Sequence, residues 1–141
     1  MRFLLNVVWL LLAGLWLAIS YVVAAAILAI TIIGLPFAKQ SLKLATYALW
    51  PFGRMLIASE SRPVGLGLLG NIVWLVLGGW WLAFLHLITG ALLCLTVLGI
   101  PLGVASFKMA GAALAPFGKQ IVRKKDLRYM PAGAVTVPEG D

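Results

Sequence analysis

GLPFAKQSLKLATYALWPFGR, from Gly34 to Arg54, returns later in the chain as GIPLGVASFKMAGAALAPFGK, from Gly99 to Lys119. Superimposing the two pairs Gly34 with Gly99, Pro36 with Pro101, Ser41 with Ser106, Lys43 with Lys108, and Pro51-Phe52-Gly53 with Pro116-Phe117-Gly118, at a constant offset of 65 residues. The same register extends towards the N-terminus. Asn6, Trp9, Gly14, Trp16 and Leu17 recur as Asn71, Trp74, Gly79, Trp81 and Leu82, so that 48 positions align without a gap and 22 are identical. Shared hydrophobicity does not hold Asn, Trp, Pro, Lys and Gly in one register. The chain is a tandem repeat, and both halves should fold alike.

Composition places the repeats in lipid. The 141 residues are 63% hydrophobic and 11% charged, where soluble domains are about half apolar and a quarter charged. Phe3 to Ala38 and Leu66 to Phe107 contain no charged residue, and each exceeds the ~18 residues that indicate a membrane span. The net charge of +7 sits on the flanks: Arg2 before the first stretch, Lys39, Lys43, Arg54 and Arg62 between the two, and a basic run from Lys108 to Arg128 after the second. Basic flanks stay on the cytoplasmic side, so both termini are predicted to be cytoplasmic. Anionic lipid headgroups, rather than nucleic acid, are the expected partner of this charge. Arg2, the apolar run and Ala24-Ala25-Ala26 imitate a cleavable leader, but a removed segment would hardly match an internal one in register. Cys94 is the only cysteine and reads as a small core residue.

Because each repeat begins and ends beside basic residues, it should cross the membrane an even number of times. A continuous helix of ~33 residues would measure about 50 Å against a hydrocarbon core of about 30 Å. This favours a bend inside each apolar stretch. Residues that prefer the interface cluster mid-stretch, Trp16, Ser20 and Tyr21 in one copy and Trp80, Trp81, His86 and Thr89 in the other. Turns are therefore predicted near residues 17–22 and 82–87, with arms at 3–17, 22–35, 68–82 and 87–100. After each hairpin, Gly34-x-Pro36 and Gly99-x-Pro101 break the chain and start a new helix. In the first copy Lys39, Lys43, Thr46 and Trp50 share one face, as an interfacial amphipathic helix would have it. The second copy is nearly apolar around Lys108 and should lie deeper or pack tightly. Pro51 and Gly53, and again Pro116 and Gly118, end these helices.

The expected fold is an all-α integral membrane protein of two parallel tandem repeats, each a short helical hairpin followed by an interfacial or partly buried helix. Residues 1–57 form the first repeat, 58–66 a cytoplasmic linker, 67–122 the second repeat, and 123–141 a basic and then disordered cytoplasmic tail. Repeats that run in the same direction put their pseudo-symmetry axis along the membrane normal.

At these motifs, and most closely at GWWLAFLHLITG (Gly79 to Gly90) and at the Gly99 to Lys119 copy, the chain resembles the YccF family of bacterial inner-membrane proteins. The likeness covers roughly residues 1–125 and is weaker in the first copy, where Leu35 and Phe37-Ala38 stand for Ile100 and Leu102-Gly103. It implies a multi-pass inner-membrane location and a duplicated hairpin-plus-helix unit. It supplies no catalytic residues and no cofactor.

The residues themselves point to little chemistry. All four acidic side chains, Glu60, Asp126, Glu139 and Asp141, lie outside the apolar stretches. His86 is the only histidine, so a metal site within one chain lacks ligands, and His86 reads as an interfacial polar residue. Asn6 and Asn71 are placed to hydrogen-bond between helices. Thr31 and Thr96 precede the Gly-x-Pro breaks by one turn and would satisfy backbone groups freed there, or line a pathway. Lys43 and Lys108 carry two readings, since an ammonium at a bilayer centre costs about 2.5–3.5 kcal/mol: snorkelling to headgroups, or a ring of charges around an anion-attracting vestibule in an oligomer. The expected function is a non-enzymatic, homo-oligomeric membrane component that forms a pore or small-solute pathway between protomers. The alternative is an accessory or scaffold subunit that binds another membrane protein.

Overall fold

In a computed structural model, residues 1–58 and 64–129 are described. Helix α1 runs without interruption through Arg2–Ala29, and its counterpart α3 through residues 64–93. Each widens into a short π-helical segment, at Leu10–Gly14 and Leu75–Gly79, and α3 also kinks at Gly78. The Pro-led helices α2 (Leu35–Leu49) and α4 (Ile100–Leu114) follow. A short strand closes each repeat, β1 (Arg54–Ala58) and β2 (Lys119–Arg123), before a single 3₁₀ turn at Asp126–Tyr129. Arg2–Ala29 and Gly67–Leu93 are long and apolar enough to cross a membrane; Ile100–Leu114 is apolar but shorter.

The predicted hairpins of arms 3–17 and 22–35, and 68–82 and 87–100, are not formed: each pair of arms is largely one helix, with no turn at residues 17–22 or 82–87. Neither stretch holds Gly, Pro, Asn or Asp, so nothing interrupts the helix, and the Ser20 hydroxyl bonds back to the Trp16 carbonyl at 3.0 Å. Length does not force a bend either: about 42 Å of helix fits a core of about 30 Å by tilting. The chain reverses at the Gly-x-Pro break instead, with α1 going out and α2 coming back. Trp9 bonds to Ala48 and Ser41 bonds to Tyr21, the contacts of an antiparallel pair. Helix α2 is thus a packed return arm and not a helix lying apart at the surface. It buries Phe37, Ala38, Ser41, Leu44, Ala45, Tyr47 and Ala48, while Lys39 and Thr46 stay exposed. Helix α4 packs on α3 in the same way.

The two apices are built for an apolar setting. Ile32 is 86% exposed and Leu98 88%, with Ile30, Ile33, Leu95 and Val97 nearly as open. Their backbones are largely satisfied locally, as Thr31 N bonds to Leu28 O and Gly34 N to Thr31 O, and likewise Thr96 N to Leu93 O and Gly99 N to Thr96 O. A connection whose polar groups are paired and whose side chains are aliphatic can reside in lipid.

The two-stranded sheet departs from the all-α expectation. β1 and β2 pair antiparallel, with Arg54 opposite Arg123, Leu56 opposite Ile121 and Ala58 opposite Lys119. Leu56 thus faces its own counterpart in the other repeat. The two repeats are joined by this ladder, and Arg123, at which the tail was expected to begin, is the last residue of β2. Val64 to Leu66 are already helical, so the linker is shorter than 58–66. The remaining linker residues 59–63 and the tail beyond residue 129 lie outside the described residues.

One apolar core unites the halves. Trp9, Tyr21, Leu44 and Ala48 of the first repeat belong to the same cluster as Trp74, Leu82, Met109 and Phe117 of the second. Phe37 meets Phe117 edge-on at 5.2 Å between centroids.

Candidate functional site

The Asn, Ser and Thr residues repeated at the 65-residue offset make matching hydrogen bonds in the two halves. Asn6 lies buried in the first turns of α1; its amide donates to Phe52 O at 2.9 Å and accepts from Phe52 N at 3.0 Å. Asn71 repeats this on Phe117, at 3.3 and 2.8 Å. The asparagines thus pin the Pro-Phe-Gly turns, which need Gly53 (φ 92°) and Gly118 (φ 76°) because L side chains rarely adopt such angles.

One turn further on, the indole N–H of Trp9 donates to Ala48 O, and that of Trp74 to Ala113 O, both at 2.6 Å. Here the π-helical segment has a purpose. It brings the residue five positions on into line with the tryptophan, and that residue is Gly14 or Gly79. A Cβ on either glycine would stand 2.5–2.6 Å from the indole nitrogen. The repeated Trp-x4-Gly spacing was the available signal for this contact.

Thr31 and Thr96 act at the apices. Each hydroxyl donates to the carbonyl three residues back, Leu28 or Leu93, at 3.2 Å and accepts from Gly34 N or Gly99 N at 3.0 or 3.1 Å.

The repeats also meet in the core, where two equivalent positions carry different side chains that bond to each other. Tyr21 and His86 stand 65 residues apart, and the Tyr21 hydroxyl lies 2.9 Å from His86 Nε2. Both are buried, so His86 is not at the interface but at the heart of the bundle. Ser106 Oγ donates to His86 O at 2.7 Å and lies 3.4 Å from His86 Nδ1. Ser41 likewise donates to Tyr21 O at 2.6 Å. The network assigns one consistent set of protons: Tyr21 O–H to Nε2, Nδ1–H towards Ser106 Oγ, and the Ser106 proton to a main-chain carbonyl. A serine whose proton is held by a carbonyl is not activated by the imidazole, so the trio reads as a fastener on the axis.

We expect Tyr21→Phe and His86→Leu each to destabilise the protein, and the double variant to cost less than their sum by about 0.5–1.5 kcal/mol. Reversible unfolding in detergent would measure this coupling; strict additivity would dissolve the pair.

Lys43 is half-buried and reaches across to the other repeat, donating to Pro116 O at 2.7 Å and Lys119 O at 2.8 Å. These carbonyls flank the turn that ends α4, where an ammonium also complements the helix dipole. This cross-repeat contact is a role the sequence does not display. Lys108, at the equivalent position, lines a small recess with Tyr47, Pro51, Phe52 and Lys124. Among the described residues no group of three or more His, Cys, Asp or Glu side chains converges to hold a metal ion.

The comparisons agree with this duplicated design. The family model for the YccF inner membrane component domain matches twice, over residues 4–54 and 69–119. The inner membrane protein YccF of Escherichia coli (strain K12) is 33% identical over 130 residues, covering 86% of this chain and 88% of that protein. Its namesake from Shigella flexneri matches to the same extent. No solved structure matches the chain. Two copies of the domain in one register, and a relative matched over most of both lengths, establish that the chain belongs to the YccF family of inner membrane proteins.

Proposed function

We propose that this protein is a non-enzymatic scaffold of the bacterial inner membrane, a rigid pair of helical hairpins that offers apolar faces to another membrane protein or to further copies of itself. The observation that carries this reading is where the polar side chains go. Asn6, Asn71, Thr31, Thr96, Tyr21 and His86 are all bonded within the chain, which leaves them unsuited to line an aqueous pathway between protomers. The outward faces are apolar, and a groove of about 530 Å³ runs between α1 and α3, bordered by Ile19, Ile27, Leu77, Trp80 and Trp81. Such a groove suits a helix from a neighbour better than water.

In this reading both repeats go out and return, and the end bearing Arg2, Arg54 and Arg123 faces the cytoplasm. A reporter fused to the C-terminus should give a cytoplasmic signal. Reconstituted in liposomes, the protein is expected to leave ion and small-anion gradients intact at every protein density. Cross-linking from cysteine placed at Leu77 should join it to a helix of a neighbour. Flux that rises with protein density and falls in Asn71→Leu or Lys108→Gln would overturn the scaffold and favour a pathway.

A further inference from the structure

We propose that the cleft at the basic end of the bundle is a binding site for a phosphate group, of the kind an anionic phospholipid headgroup presents. The cleft measures about 280 Å³ and gathers four cations from separate parts of the chain, Arg2, Arg54, Arg123 and Lys125, beside Trp50. Arg54 and Arg123 face each other directly across the ladder. Like charges so placed oppose strand pairing, and an anion between them reverses that effect. Asp126 is the only acidic side chain among the described residues, and it does not line the cleft.

The repeat supplies an internal control. At the 65-residue offset Arg2 corresponds to Gly67, Trp50 to Ala115, Arg123 to Ala58 and Lys125 to Glu60; only Arg54 keeps its charge, as Lys119. Where the counterparts are described, at Gly67, Ala115 and Ala58, the other half forms its helices and strand without these cations, so folding does not require them. Arginine suits the assignment, since its planar fork matches phosphate oxygens two at a time. Arg54 commits one arm to Thr46 O at 3.2 Å, which orients the rest of the group. Trp50 packs against Phe3 with centroids 5.8 Å apart, an aromatic pair of the sort found at headgroup depth.

The lipid form of the proposal rests on the membrane reading above. The test uses the full chain in zwitterionic phosphatidylcholine nanodiscs with and without phosphatidylglycerol, scored by the lipid retained in native mass spectrometry, with inorganic phosphate as competitor. Phosphatidylglycerol should be retained selectively, and Arg123→Ala should weaken its retention about tenfold. Lys39→Ala, which removes one exposed charge outside the cleft, should leave it unchanged. Arg54→Lys keeps the charge but loses the fork, and should weaken retention several-fold. Displacement by inorganic phosphate would support the phosphate site and extend it to soluble phosphoryl compounds; retention without displacement would support it for the lipid headgroup. Equal loss in Arg123→Ala and Lys39→Ala, or no selective retention by the wild type, would overturn it. If the membrane reading fails, the chain will not enter nanodiscs of either composition; if only the site fails, incorporation stays normal.

Discussion

Trp74→Ala should cost about 3–5 kcal/mol of stability, and Trp9→Ala about as much, the largest single effects expected in this molecule. Each indole is fully buried against the glycine of its π-helical segment and in the core shared by both repeats. Truncation opens a cavity of nearly a whole side chain, because the helices around it cannot close over a gap fixed at both ends by turns. Phenylalanine isolates the polar part of the effect. Trp74→Phe keeps most of the volume but deprives Ala113 O of its donor, at an expected cost of about 1–3 kcal/mol. Chemical unfolding in detergent micelles would measure these three variants. Gly79→Val approaches the same contact from the other side and should match Trp74→Ala in direction, as the added methyls occupy the space of the indole.

Asn6→Ala comes next, with an expected loss of about 2–4 kcal/mol, because it leaves both the N–H and the carbonyl of Phe52 without their partner. Asn6→Asp is the more discriminating variant. It keeps an acceptor for Phe52 N but turns an oxygen towards Phe52 O, so a pure packing role would leave it close to wild type while the bonded role predicts a loss. Hydrogen exchange at Phe52 should rise in both variants, and exchange at Phe117, held by Asn71, should rise less. A uniform rise across the two repeats would mean that the turn is not locally controlled by its asparagine.

The residues that announced the fold are those whose backbone demands are their own. Gly34, Pro36, Pro51 and Gly53, with their counterparts, mark where helices stop and start, and the structure stops and starts there. The apex was misplaced for a different reason. Trp16, Tyr21 and His86 look interfacial when read along one helix, but Tyr21 and His86 are polar because each faces the other across 65 residues of chain. Trp16 is simply exposed on an apolar flank. Strand pairing was invisible on similar grounds, since RMLIA and KQIVR are five residues each and gain their partner only in three dimensions. The lysine at position 43 stood out as costly to bury, but its partners are main-chain carbonyls, which no side-chain pattern reveals.

The ladder that sets Leu56 against Ile121, and the core contact that sets Tyr21 against His86, share a property with consequences for association. A residue can meet its own counterpart only on a two-fold axis. The fold is thus organised like a symmetric dimer of single repeats joined in one polypeptide. The two halves differ at the axis, where Tyr21 and His86 form a donor–acceptor pair, and at the basic end, where one half carries the cluster of cations. It also means that the surface on which the two repeats meet is largely filled by the repeats themselves, which leaves the groove between α1 and α3 and the outer faces for association with other chains.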